Sequence, residues 1–214
     1  QMIDQTQGVD DATRMKIEFY SRMIVDAMSP TNFALTNPAV LREMKETGGQ
    51  SIIQGITNYL EDQQAGFDYM RPRHTDMSAF KVGENVATAE GSVVYQNQMM
   101  QLLQFAPTTE VVYKKPLMIV PPWINKFYIL DLREDNSFIR WAVDQGYTVF
   151  VISWVNPDKT YADKSFDDYV TGGIFAALDA IEEAAGEKQV TAIGYCIGGT
   201  MLAAALAYMA ANQD

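Results

Sequence analysis

The sequence predicts an α/β protein in which a mainly helical N-terminal region, residues 1–78, precedes a parallel sheet with flanking helices over residues 79–214. Three observations predict it. Apolar residues recur at helical spacing through the first third of the chain. Short apolar, β-branched runs then alternate with helical stretches as βαβαβα, the pattern of parallel strands covered by helices. The last strand-to-helix junction, Gly194-Tyr195-Cys196-Ile197-Gly198-Gly199-Thr200, is a turn of small residues around the chain's only cysteine.

The first helix is expected over Ala12 to Met28, with Met15, Ile17, Phe19, Met23, Ile24 and Ala27 at roughly helical spacing. Ser29-Pro30-Thr31-Asn32 stops it. Asn37-Pro38 starts the next, with asparagine as N-cap and proline at the first helical position. Leu41, Met44, Ile52, Ile53, Ile56 and Leu60 continue the apolar pattern across an interruption at Gly48-Gly49. Arg71-Pro72-Arg73-His74-Thr75-Asp76 breaks it and reads as a linker. Beyond the linker, Ser92–Asn97 reads as a short strand, and Leu117–Val120 as an apolar strand ended by Pro121-Pro122. Ser137–Gln145 is helical and closed by Gly146. Thr148–Ser153 is apolar throughout, as central parallel strands are. Ser165–Ala185 is one long helix capped by Gly186. Val190–Ile193 is the strand before the cysteine, and Met201–Ala211 lies in the helix after it.

Composition narrows the function. Hydrophobic content of 48% and charged content of 20% are those of a folded protein with a sizeable core. A net charge of −11 argues against nucleic acid as a partner, because phosphate neutralisation needs clustered lysine and arginine. One cysteine forms no internal disulfide and fits a reducing cytoplasm. Gln1-Met2-Ile3-Asp4 has neither the basic start nor the apolar run of a signal peptide. Met201–Ala211, the longest apolar stretch, is too short for a transmembrane segment. With one histidine and one distant cysteine, no metal site is expected.

A lone cysteine is most often a small buried hydrophobe. Around Cys196, the flanking Gly194 and Gly198, the strand before and the helix after favour a nucleophile elbow instead. The pattern is G-x-S-x-G with sulfur in place of oxygen. The turn is so tight that its flanks must be glycine. A helix N-terminus also favours a thiolate, the reactive form. A dinucleotide fingerprint fails, since its second glycine falls where Cys196 stands. A P-loop fails too, since no lysine lies near.

Pro30-Thr31-Asn32-Phe33, Thr36-Asn37-Pro38 and Val94-Tyr95-Gln96-Asn97 resemble segments of the polyhydroxyalkanoate synthases, polyester-forming enzymes built on an α/β-hydrolase core. So do the run from Pro116 through Pro121-Pro122-Trp123-Ile124-Asn125-Lys126 to Ile129-Leu130-Asp131-Leu132, then Asn136-Ser137, Gln145–Phe150 and Ser153-Trp154-Val155-Asn156-Pro157-Asp158. The resemblance spans nearly the whole chain. The elbow is most similar to the class I branch, whose members favour short-chain hydroxyacyl thioesters.

The resemblance implies an acyltransferase that polymerises 3-hydroxyacyl-CoA, foremost 3-hydroxybutyryl-CoA, through an acyl-Cys196 intermediate. It implies no cofactor, a cytoplasmic place at the surface of the polyester granule, and a homodimer when full length. The fold implies an oxyanion hole formed by the Ile197 N–H and a donor from the loop after Leu117–Val120. Pro121 and Pro122 have no N–H, so Trp123 and then Ile124 are the available donors. Asn125, Lys126 and Tyr128 share that loop and line the expected substrate path, or serve as ordinary loop packing. The family's acid and histidine follow its nucleophile. His74, Asp158 and Asp163 precede Cys196 and read as a linker histidine and as loop and helix-entry acids. The chain starts without an initiator methionine and stops at Asp214, so a fragment of the enzyme, inactive alone, is expected. Two other readings remain open: a cysteine-nucleophile hydrolase of the dienelactone hydrolase or thioesterase type, and a non-catalytic granule-surface scaffold.

Overall fold

The computed structural model describes residues 8–67 and 71–212. The chain forms two compact units, Gln1–Asp76 and Met77–Asp214.

The first unit is helical: α1 (Asp11–Ala27), α2 (Pro38–Glu46) and α3 (Gln50–Gln64). Asp10 caps α1, accepting from the Thr13 N–H at 3.0 Å. The joint between α1 and α2 is held by the polar residues around its prolines. Asn32 donates to the Asp26 and Ala27 carbonyls that end α1, at 2.7 and 3.1 Å. Asn37 accepts from Ala39 N–H at 2.9 Å to start α2 and donates to the Thr31 carbonyl at 2.7 Å. Gly48 and Gly49, at φ 57° and 91°, separate α2 from α3. Arg73 pairs with Glu61 and Asp62 on α3 at 3.4 and 3.5 Å. None of the described residues of this unit is buried. Val40, Ile52, Ile56 and Tyr59 line an apolar groove of about 670 Å³ between α2 and α3.

The second unit holds a five-stranded sheet of β1 (Gly91–Gln96), β2 (Met100–Phe105), β3 (Leu117–Val120), β4 (Val149–Trp154) and β5 (Thr191–Gly194), in the order β1-β2-β4-β3-β5. β3 pairs in parallel with β4 and β5, as the alternating pattern predicts. β2 pairs antiparallel with both β1 and β4, so the sheet is mixed rather than purely parallel. The sequence does not signal β2. Its Met-Gln-Leu-Leu-Gln-Phe run has no β-branched residue, and it is a strand because partners pair with it on both sides. The hairpin turn is made by Asn97, whose side-chain oxygen accepts from the Met99 and Met100 N–H groups at 2.7 and 3.0 Å.

Every residue of β3 is buried, and all but one of β4, because helices cover both faces. Val149 and Val151 pack with Leu117 and Ile119 against Ile139, Ala142 and Val143 of α4 (Phe138–Asp144). Phe150 and Ile152 pack with Met118 and Val120 on the other face. There they meet Ile174, Ala177 and Ile181, and Met201 of α7 (Ile197–Asn212).

The helix expected over 165–185 is instead three consecutive pieces: α5 (Phe166–Tyr169), a π-helical segment (Val170–Phe175) and α6 (Ala176–Ala185). Two glycines and an asparagine account for it. A Cβ on Gly173 would fall 2.3 Å from the Trp154 ring, and one on Gly172 would fall 2.9 Å from Met99. The widened turn also leaves the Gly172 carbonyl to accept from Asn97 Nδ2 at 2.7 Å.

Candidate active site

Because β3, β4 and β5 run parallel, their carboxyl ends share one edge of the sheet, where open α/β sheets place their chemistry. The loops after these three strands carry Trp123 to Tyr128, Asn156 and Cys196 respectively.

Cys196 sits between β5 and α7 with φ 55°, in the left-handed region, and it is exposed. The residues around it are packed backbone to backbone. A Cβ on Gly194 would fall 2.4 Å from the Gly199 Cα, and one on Gly198 would fall 2.1 Å from the Val120 carbonyl oxygen. Neither contact has a flexible side chain that could yield. The Tyr195 N–H donates to that same Val120 carbonyl at 3.0 Å, so the turn is stitched to the end of β3. The start of α7 is therefore brought beside the Pro121-Pro122-Trp123 loop.

That loop is fixed from below. The Trp154 indole N–H donates to the Pro121 carbonyl at 2.8 Å inside the core. The Trp123 ring lies 5.3 Å from Tyr169 and 6.2 Å from Phe166, and Tyr169 in turn lies 5.4 Å from Trp154. The Trp123 side chain is thus part of an aromatic floor rather than a surface group. Its N–H and those of Ile124 and Ile197 donate to no acceptor among the described residues, whereas the Asn125 N–H bonds the Pro122 carbonyl at 3.3 Å.

Farther along the same loop, Lys126 donates to the Asn156 side-chain oxygen. Lys126 and Tyr128 line a cleft of about 360 Å³ with Gln96, Gln101, Ser153 and Asn156, and Asn125 stands outside it, exposed. The loop ends at Asp131, which is 0% exposed and accepts from the Ala89 N–H at 2.9 Å. Its other carboxylate oxygen has no partner among the described residues.

Asp158 starts a 3-10 turn at Lys159–Tyr161. The hydroxyl of Thr160, and then its N–H, hold the Asp158 carboxyl below its ordinary range. Ser165 and Asp168 form a capping box at α5, and the Ser165 N–H and hydroxyl hold the Asp168 carboxyl down likewise. Asp163 is exposed just before that box, and His74 is exposed in the first unit. Among the described residues no group of three His, Cys, Asp or Glu side chains is placed to hold a metal ion, and no helix is long and apolar enough to cross a membrane.

Residues 1–142 match the family model described as the N-terminus of poly-beta-hydroxybutyrate polymerase. The chain belongs to the poly-beta-hydroxybutyrate polymerase family. It is 53% identical over 214 residues to the poly(3-hydroxyalkanoate) polymerase of Methylorubrum extorquens and 53% over 213 residues to the poly(3-hydroxyalkanoate) polymerase subunit PhaC of Rhizobium meliloti. It is 45% identical over 205 residues to the corresponding subunit of Cupriavidus necator. These matches cover 100%, 100% and 96% of this chain but 35%, 35% and 34% of the relatives, so the chain spans about a third of the length of the curated relatives it matches.

In this polymerase-family chain, three residues that hold the site together are not singled out by the sequence reading: Asn97, Asp131 and Trp154. Each lies inside a segment that carries the resemblance. Asp131 offers a physical signal as well, since an acid in the apolar run Phe127 to Leu132 is expected to be buried only with a partner.

Proposed function

We propose that the whole protein is an acyltransferase that polymerises 3-hydroxyacyl-CoA, foremost 3-hydroxybutyryl-CoA, and that Cys196 carries the growing acyl group. The observation that supports it is the left-handed, exposed Cys196 on a strand-to-helix turn in a chain of the polymerase family. The strand order β1-β2-β4-β3-β5, with β2 reversed and the cysteine after β5, supports an α/β-hydrolase core.

The chemistry follows from sulfur. The Cys196 thiolate attacks the thioester carbonyl, an oxyanion forms, and its collapse expels CoA as a thiolate. One thioester replaces another, so the acyl group stays activated. The hydroxyl of a second hydroxyacyl unit then attacks the acyl-Cys196 carbonyl while a general base takes its proton. An oxygen ester forms and the cysteine sulfur is released. The oxyanion is held by the Ile197 N–H and by the Trp123 or Ile124 N–H, groups with no competing acceptor among the described residues. Asn125, Lys126 and Tyr128 lie along the approach. The exposed apolar residues of α1 and α3, among them Phe19, Ile24 and Ile53, support residence at the polymer surface, hence at a cytoplasmic granule. The homodimer and the class I preference rest on the resemblance alone.

The test follows CoA release and turbidity together, with the whole protein and 3-hydroxybutyryl-CoA. Polymerisation gives both signals, and Cys196→Ala abolishes both. CoA without polymer identifies a hydrolase, and neither signal identifies a scaffold.

A further inference from the structure

We propose that the cleft around Lys126 is the anchor for the phosphate-bearing end of the acyl-CoA thioester, with Lys126 as the positive charge that recognises it. This inference rests on the reading of Cys196 as the acyl acceptor.

The first support is the chemistry of the walls. The cleft of about 360 Å³ is lined by Gln96, Gln101, Tyr128, Ser153 and Asn156, with Lys126 as its one charged group among the described residues. No described carboxylate lines it, in a chain whose net charge is −11. Lys126 forms no ion pair among the described residues. Its hydrogen-bond partner is the neutral Asn156 amide, so the side chain is positioned while its charge stays unneutralised. A ligand that fits carries an anion and hydrogen-bonding amides, which describes a phosphorylated pantetheine arm.

The second support is placement. The cleft opens at the carboxyl ends of β1 and β4 and the start of β2, on the edge of the sheet that carries Cys196 after β5. From β5 across β3 to β4 is two strand spacings, about 10 Å. An extended pantetheine arm is longer than that. One loop serves both ends: its start, Pro121, lies against Gly198 of the elbow, and its Lys126 and Tyr128 line the cleft. A thioester with its carbonyl at Cys196 therefore lays its amides and phosphates toward Lys126.

The experiment compares 3-hydroxybutyryl-CoA with 3-hydroxybutyryl-pantetheine, which has no phosphate, as substrates of the whole protein. Lys126→Gln keeps the hydrogen bond to Asn156 and removes the charge. It raises KM for the CoA thioester about tenfold and leaves kcat within about twofold. KM for the pantetheine thioester does not change. Lys126→Arg restores the CoA preference. Asn156→Asp, which neutralises Lys126 in place, reproduces the phosphate-specific loss. Equal KM increases for both substrates, or no increase for the CoA thioester, overturn the anchor while leaving the cysteine reading intact. Absence of any acyl adduct on Cys196 in the unmodified protein overturns both.

Discussion

Cys196 takes a left-handed backbone conformation, φ 55°, that costs a residue with a Cβ about 1 kcal/mol. The strain has a use, because it turns the sulfur out of the sheet between β5 and α7. It also makes a prediction independent of any chemistry. Cys196→Gly raises stability over Cys196→Ala by about 1 kcal/mol, since glycine adopts the conformation freely. Gly198→Ala lowers stability by about 3 kcal/mol, since its methyl would sit 2.1 Å from the Val120 carbonyl oxygen and only backbone could move. Urea unfolding followed by tryptophan fluorescence measures both, because Trp123, Trp141 and Trp154 all belong to the second unit. A Cys196→Gly protein less stable than Cys196→Ala contradicts the strain. At this scale the sequence was informative: a cysteine flanked by Gly194 and Gly198 already requires a turn too tight for side chains on either side. Gly199 was less legible, because its contact is with Gly194 across the turn and has no signature of its own.

The element that sets the site is the loop from Pro121 to Asp131, and its anchors come from other elements. Trp154 at the end of β4 bonds the Pro121 carbonyl, and Ala89 ahead of β1 bonds the Asp131 carboxylate. Trp154→Phe keeps an aromatic ring but removes the N–H donor together with the ring atoms that lie against Gly173. It leaves a buried carbonyl unpaired and a void beside Gly173, at a combined cost of about 3 kcal/mol. The loosened loop slows acyl loading of Cys196 by about tenfold. Stopped-time CoA release by the whole protein measures this, and unchanged loading would remove the loop from the oxyanion hole. Elements whose signals are local were readable: α1 from its helical spacing and the Ser29-Pro30 stop, α2 from its Asn37-Pro38 start, β3 from an apolar run ended by Pro121-Pro122, β4 from an apolar run, and β5 from its place before the elbow. β2 and the π-helical segment were not. β2 exists through its pairing with β1 and β4, and the π segment through the approach of Trp154, Met99 and Asn97 to Gly172 and Gly173. Such contacts lie tens of residues apart in sequence and leave no periodicity.

The molecule divides its apolar residues unevenly between its two units. The sheet of the second unit buries Met118, Ile119, Phe150 and Ile152 almost completely, while α1 to α3 leave Met15, Phe19, Ile24 and Ile56 exposed. Helical periodicity in the first unit was therefore readable without revealing what its apolar side meets. The site shows a similar limit. The turn that carries its proposed nucleophile, Cys196, is legible as one local motif. The cleft around Lys126 is assembled from the β1–β2 hairpin, the loop after β3 and the end of β4, and no single segment announces it. The chain spans about a third of the length of the relatives it matches, and the activity proposed for the whole protein turns on one atom within that third, the sulfur of Cys196.

The most direct test is peptide mass spectrometry of the whole protein quenched in acid during turnover of 3-hydroxybutyryl-CoA. The account predicts a 3-hydroxybutyryl adduct, or a short oligomer of it, on the peptide containing Cys196, labile to hydroxylamine as a thioester is and absent from Cys196→Ala. An acyl group carried on any other residue, or polymer made by Cys196→Ala, would contradict it.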